Sequence, residues 1–367
     1  MAWNEYLYGY FVPLPINQII TSMESGTISY YKYSQPFTLE SGEVLPEVTV
    51  AYHVYGKLNE EKNNAIWVCH ALTANSDVAD WWPNTVERGK FLDPEKYCVI
   101  CANVLGSHYG TTGPLSINPL TGEPYYGKFP VVTVRDMVRV HQLLAERLGI
   151  KSVEMLIGSS LGGFQAMEWA IMNPDFPRHL VLIATTPVSK PWAAAFNESQ
   201  RMCIEADATF GQPSADAGAK GLAAARSIAL LSYRGQVAYD ITQADTDLVR
   251  PEGYPLKRRV HSYQTHQGEK LVDRFNAYSY YRLSQAVDGH DVGWGRGGLR
   301  QALEQIKCPV LVIAITSDIL FPPCDHKEFR DFINDVTYHE IESIYGHDGF
   351  LIEHEKLDTL IKEHLKR

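Results

Sequence analysis

"EMLIGSSLGGFQAMEWA", residues 154–170, decides the fold. An apolar run of strand character from Val153 breaks at two adjacent serines, and an amphipathic helical pattern starts straight after them at Leu161. So abrupt a turn from strand to helix brings two backbones together, which requires glycine two residues before and two after the apex. Centred on Ser160, the frame reads Gly158-Ser159-Ser160-Leu161-Gly162 and meets the requirement. Centred on Ser159, it puts Ile157 and Leu161 at the glycine positions and fails. Gly162-Gly163 also lets the helix pack close to its strand. Ser160 is therefore the candidate nucleophile.

Working outward, short apolar runs rich in β-formers recur at 48–56, 65–72, 97–104, 153–159, 179–187, 309–318 and 336–346. Helical patterns lie between several of them, at 134–149, at 161–174 and near 351–366. Near-continuous Val/Ile/Leu runs alternating with helices predict an α/β fold, with a mostly parallel sheet covered on both faces. From about Lys190 to Gly298 the alternation stops, and helical stretches such as "GAKGLAAARSIALLSYRG" and "DRFNAYSYYRLSQAVD" replace it. That segment reads as a helical lid over the carboxyl ends of the strands, where α/β active sites lie. The glycines of "DGHDVGWGRGG" (288–298) read as the hinge back into the sheet.

The chain has 367 residues, 45% hydrophobic and 21% charged, which suits one large domain with an insertion. A net charge of −10 speaks against a nucleic-acid surface. It leaves room for a small anionic ligand, because a local cluster of donors can overrule it. No apolar run is long enough to span a bilayer. The first basic residue is Lys32, so the N-terminal stretch lacks the positive region of a secretory signal and reads as an arm, with Met23 a natural start. The expected location is cytoplasmic. Six cysteines are scattered, and only Cys98 and Cys101 are closely spaced. Three residues apart on a strand they point to opposite faces, so buried free thiols are expected rather than a redox or metal site.

A reactive serine needs a base, and the base needs an orienting acid. Asp318 ends one strand run and His347 follows the last, both on the face where Ser160 should sit. The order Ser, Asp, His is that of α/β-hydrolase folds. His141, His339, His354 and His364 fall in helices or mid-strand, and Asp291 and Asp325 in a hinge and a helix start. The oxyanion hole should use the backbone N–H of Leu161 and that of Leu72, in the "HALTAN" loop that His70 shapes. No phosphate-binding G-K-[ST] follows the glycines of "LGSHYGTTGP", and no metal-ligand spacing appears.

The chain resembles the homoserine O-acetyltransferase family, an acyltransferase branch of the α/β-hydrolases. The likeness runs from about Tyr31 to the C-terminus, through "CHALTANSDVADWW", "NVLGSHYGTTGPLS", "SSLGGFQAMEWA", "RFNAYSYYRLSQAVD", "SDILFPP" and "YGHDGFLIEH". It implies a ping-pong reaction in methionine synthesis, in which acetyl-CoA acylates the serine and L-homoserine takes the acyl group. Acetyl-CoA, or another acyl-CoA, would be a co-substrate, with no permanently bound cofactor. The resemblance also implies that Arg226 and Tyr233 in the lid and Asp348 beside the catalytic histidine bind the acceptor, and that a homodimer forms through the lid helices. Seven residues is nearly two helical turns, so Arg226 and Tyr233 share a face. The family commonly has glycine where this chain has Ser159, and "GGC" or similar where it has Gly106-Ser107-His108. Those departures leave open a succinyl donor or a serine acceptor, and a carboxylesterase with the same triad is the alternative of another class. The expected division is an arm at 1–30, core at 31–189 and 299–367, and the lid at 190–298.

Overall fold

All seven apolar runs become strands of a single sheet in the computed structural model, which describes residues 25–245 and 258–367. The stretch read as an arm up to Met23, and residues 246–257 of the insertion, lie outside the described residues. The strands are β1 (Ser29–Tyr33), β2 (Val48–Tyr55), β3 (Ala65–Cys69), β4 (Cys98–Ala102), β5 (Met155–Ser159), β6 (Leu180–Ile183), β7 (Val310–Ile315) and β8 (Val336–Ile341). Their order across the sheet is β1-β2-β4-β3-β5-β6-β7-β8. The β1–β2 and β2–β4 pairs are antiparallel and all others parallel.

All seven strands are shorter than the apolar runs that predicted them. Surplus residues that follow the strands, such as Ala71 and Leu72 after β3, turn into loops at the carboxyl ends. The edge strand β1 is not foreseen, and it begins inside the stretch read as an arm. Its side chains alternate between half-buried and exposed, so its sequence "SYYKY" carries no apolar run. Cys98 and Cys101 pack into the cores on opposite faces of the sheet, as their spacing requires.

Helices cover both faces. α1 (Val134–Leu148) and α2 (Leu161–Met172) pack on one side, and α10 (His354–His364) closes the other, with Leu357 and Ile361 in its core. The expected amphipathic pattern fails for α2. Every residue from Leu161 to Ile171 is buried, because α1 and the return from the insertion cover its outer side. Glu168 on that helix takes Arg135 of α1 at 3.2 Å and Arg296 at 2.8 Å. Arg135 also donates to the carbonyls of Asp291 and Trp294, so the glycine-rich return is fastened to the core.

Between β6 and β7 stand α3 (Pro191–Glu205), α4 (Ala219–Tyr233), α5 (Gln236–Thr242), α6 (Arg259–Val272) and α7 (Ala277–Asp288). Small residues let them approach closely. A Cβ on Gly221 would sit 2.6 Å from the Cys203 carbonyl oxygen of α3, and one on Gly268 2.7 Å from the Ala223 carbonyl oxygen of α4. After these come α8 (Leu299–Leu303) and α9 (Lys327–Phe332), which pack on each other.

His141, His290, His326 and His364 are buried, and burial pushes their imidazoles below the ordinary 6.5, to about 3, 3, 4 and 4 respectively. The fold holds them neutral, whereas the unfolded chain protonates from about pH 6.5 downward. Their contribution to stability is complete above 6.5 and is lost as pH falls toward 4 and 3. His141→Phe should therefore make the fall in unfolding free energy between about pH 6 and 4.5 shallower by up to about 1.4 kcal/mol per pH unit. Urea titrations across that range measure the slope, and an unchanged slope would mean that His141 does not stay neutral.

Candidate active site

Ser160 occupies the apex between β5 and α2 with φ 55° and ψ −125°, a strained conformation for a residue with a side chain. The flanking glycines are there for contact. A Cβ on Gly158 would lie 2.0 Å from the Gly162 carbonyl oxygen, and one on Gly162 would lie 2.0 Å from that of Cys69. Gly163 faces Thr185, whose side chain would stand 2.5 Å from an added Cβ. Two hydrogen bonds hold the turn: Ser160 N–H donates to the Ile183 carbonyl at 3.0 Å, and the Thr185 hydroxyl donates to the Ser160 carbonyl at 3.0 Å.

The two serines have different surroundings. Ser159 is fully buried, and its hydroxyl has no hydrogen-bond partner among the described residues. Ser160 is partly exposed and lines a cavity of about 570 Å³ under the lid. Leu72, Arg226, Tyr233, His347 and Asp348 line the same cavity.

His347 lies in the turn after β8, where the backbone of Gly346 takes φ +67° and donates to the Ser317 hydroxyl. Its Nδ1 meets Asp318 Oδ2 at 2.7 Å, and Asp318 Oδ1 accepts the N–H groups of Leu320 and Phe321 at 2.8 and 3.0 Å. Burial alone would depress the imidazole, but the Asp318 charge and hydrogen bond outweigh it and hold the group above its ordinary 6.5. Asp325 instead pairs with Lys190 at 3.1 Å, and Asp291 caps its own loop through Gly293 N–H.

Leu161 N–H, at the first turn of α2, and Leu72 N–H have no acceptor among the described residues. The Leu72 peptide is oriented from behind. His70 is completely buried, with Nδ1 2.8 Å from the Ala71 carbonyl and Nε2 accepting Val104 N–H at 3.1 Å. Those partners require the proton on Nδ1, and burial keeps the ring neutral, pushed down to about 4. Fixing the Ala71 carbonyl fixes the Leu72 N–H of the same planar peptide, pointing the other way. Gln165 donates to the carbonyls of His70 and Leu161, joining the two loops. Gln165 and Thr185 escape sequence reading because they act through backbone carbonyls that only the folded approach brings near.

The lid supplies the opposite wall. Arg226 of α4 stands 5.6 Å from the Tyr233 ring centroid and has no ion-pair partner among the described residues. Tyr233 stacks obliquely on His347 with ring centroids 5.8 Å apart. Asp348 does not stand alone: Arg234 Nε reaches its Oδ2 at 3.4 Å. Burial raises the Asp348 carboxyl above its ordinary value, while Arg226 and Arg234 oppose that rise.

This sheet order, the strained serine turn and the His347–Asp318 pair define a serine-centred α/β-hydrolase, and a family model described as the alpha/beta hydrolase fold matches residues 64–353. The homoserine O-acetyltransferase of Cyclobacterium marinum is 44% identical over 328 residues, covering 89% of this chain and 92% of that protein. The chain belongs to the homoserine O-acetyltransferase family. Among solved structures, a homoserine O-acetyltransferase from Bacillus anthracis superposes with a TM-score of 0.86 at 27% identity, covering 94% of this chain and 99% of that one. Esterase E22 superposes with a TM-score of 0.84 at 26% identity, covering 92% and 100%.

Gly162→Ala should destabilise the fold by about 3 kcal/mol or more, since the added methyl meets a backbone carbonyl and nothing nearby can swing away. At Gly289, where φ is −77° and an added Cβ comes no nearer than 3.5 Å to another atom, Gly289→Ala should change stability by under about 1 kcal/mol. Equilibrium denaturation of both variants checks the contrast.

Proposed function

We propose that the protein transfers an acetyl group from acetyl-CoA to the hydroxyl of L-homoserine by a ping-pong mechanism, a step of methionine synthesis. The observation that carries this reading is the cavity itself. Ser160, His347 and the guanidinium of Arg226, which has no ion-pair partner among the described residues, line the same space.

Ser160 Oγ attacks the thioester carbonyl as His347 takes its proton, with Asp318 holding the imidazole in the right tautomer and supporting its positive charge. The N–H groups of Leu72 and Leu161 receive the developing oxyanion. The tetrahedral intermediate collapses, the C–S bond breaks, and His347 returns the proton to the departing thiolate. In the second half, His347 removes the proton from the acceptor hydroxyl, which attacks the acyl-serine and restores Ser160. Arg226 takes the acceptor's α-carboxylate through its planar fork, with Tyr233 alongside. Asp348 takes the α-ammonium; its pairing with Arg234 engages one carboxylate oxygen. No metal and no permanently bound cofactor enters these steps.

A cytoplasmic location accords with a biosynthetic role, and no helix among the described residues is long and apolar enough to cross a membrane. A homodimer through the lid is supported by Leu231, Val237 and Ile241, which are 53%, 55% and 66% exposed on α4 and α5.

Intact-protein mass after mixing with acetyl-CoA tests the nucleophile. Ser159→Ala should still gain an acetyl group, and Ser160→Ala should not. An adduct surviving in the Ser160 variant would reassign the serine. Because His347 titrates above 6.5, acylation should decline as pH falls through that raised value.

Arg226→Ala should leave acylation nearly intact and slow discharge to homoserine roughly 10- to 150-fold in kcat/KM, the weight of one charge-assisted hydrogen bond. Discharge to water should change little. Rapid-quench measurement of both half-reactions reads this directly. If homoserine did not accelerate discharge even in the unmutated protein, the esterase reading would replace the transferase.

A further inference from the structure

The cavity carries charge opposite to the chain around it. The protein has a net charge of −10, yet among the described residues Arg226, Arg234, Lys270 and Arg274 line this space against only Asp80 and Asp348. Arg234 stands 3.4 Å from Asp348, and Arg226 is the group proposed above for the acceptor. Two cations remain, Lys270 and Arg274, and both are exposed at the mouth. Gln267, Lys270, Leu271 and Arg274 all line the cavity, and their spacing of three and four residues puts them on one face of α6 and the turn that follows it.

A cation near a helix C-terminus commonly serves the helix dipole. Arg274 does otherwise, because its Nη1 reaches across to the Thr73 carbonyl at 2.6 Å and to the Tyr109 hydroxyl at 2.7 Å. Thr73 is the residue after Leu72. The guanidinium is thereby fixed over the entrance to the candidate oxyanion loop. Lys270 has no ion-pair partner among the described residues.

We propose that Lys270 and Arg274 form a phosphate station at the cavity mouth, which takes the phosphorylated end of the acyl-thioester donor while the thioester reaches Ser160. This rests on the acyl-CoA reading above and names the donor side of it. The ligand class is a polyanionic nucleotide thioester. The mouth cations would select it over a thioester without phosphates, and the bond from Arg274 to Thr73 places that selection beside the loop carrying Leu72.

The test compares two donors with the same reacting group, acetyl-CoA and S-acetyl-pantetheine, the second lacking every phosphate. With saturating L-homoserine, the unmutated protein should favour acetyl-CoA at least about tenfold in kcat/KM, and rising salt should erode the preference. Lys270→Gln, and more so Lys270→Gln with Arg274→Gln, should narrow the preference about tenfold in all, chiefly by raising KM for acetyl-CoA. Adenosine 3′,5′-bisphosphate should inhibit the unmutated protein and lose that effect in the double variant. Arg274→Lys keeps the charge without the fork and should keep most of the preference. If it loses as much as Arg274→Gln, the arginine acts by holding the loop and the charge account is overturned. Equal use of both donors by the unmutated protein, or a preference surviving in the double variant, also overturns it while leaving acyl transfer standing. Failure of both donors to acylate the unmutated protein would instead remove the acyl-transfer reading and this proposal together.

Discussion

Contact between backbones at Gly158, Gly162 and the Cys69 carbonyl is the constraint on which the rest of the site depends. Strain at Ser160 survives only if its surroundings over-determine it. Here β5 sits between β3 and β6, α2 is buried along nearly its whole length, and two hydrogen bonds fasten the turn to Ile183 and Thr185. A side chain at Gly158 or Gly162 would push the helix off the sheet. The same approach brings the first turn of α2 against the end of β3, so Leu161 and the loop containing Leu72 become neighbours through Gln165. One packing requirement thus positions both the candidate nucleophile and the N–H groups of Leu161 and Leu72, which have no acceptor among the described residues.

A second close approach joins the lid to the histidine loop. A Cβ on Gly235, just past α4, would lie 2.1 Å from the Ile344 carbonyl oxygen, and one on Gly346 would lie 2.4 Å from Gly235 N. Tyr233 and Arg234 precede that contact, and His347 and Asp348 follow it. The contact sets the lid residues directly against the histidine loop, which is why Tyr233 meets His347 and Arg234 meets Asp348. The lid is therefore part of the site's wall.

What the sequence made legible was local. Ser160 is readable because strand, turn and helix are consecutive, and Asp318 and His347 because each follows the end of an apolar run. The edge strand Ser29–Tyr33 was not legible, since its side chains alternate between half-buried and exposed and form no apolar run. The helix Leu161–Met172 read as amphipathic but is buried all round, because covering by α1 and by the Arg296 return is a tertiary event. The ion pair of Asp348 with Arg234 joins residues 114 positions apart, and no spacing rule reaches that far. His70 could be tied to its loop, but not its two partners, because one of them is a backbone N–H on the neighbouring strand's exit.

Likeness to both an acetyltransferase and an esterase at nearly equal TM-scores follows from this division of labour. The serine turn, the His347–Asp318 pair and the N–H groups of Leu72 and Leu161 are the parts proposed for acyl-serine chemistry, and that chemistry is the same whether water or an amino acid is the acceptor. On the proposed reading the acceptor groups lie in the insertion, whose two inner helices are packed together. Gly268 of α6 packs on the Ala223 carbonyl of α4, and the Ser227 hydroxyl bonds the Gln264 carbonyl at 3.3 Å. Arg226 lies on one of these helices, with Lys270 on the other and Arg274 just beyond it. A shift of either helix would move Arg226 together with Lys270 and Arg274. On the acyl-transfer reading, the groups proposed for the two substrates are thus carried by one pair of packed helices, above a serine turn proposed to serve both.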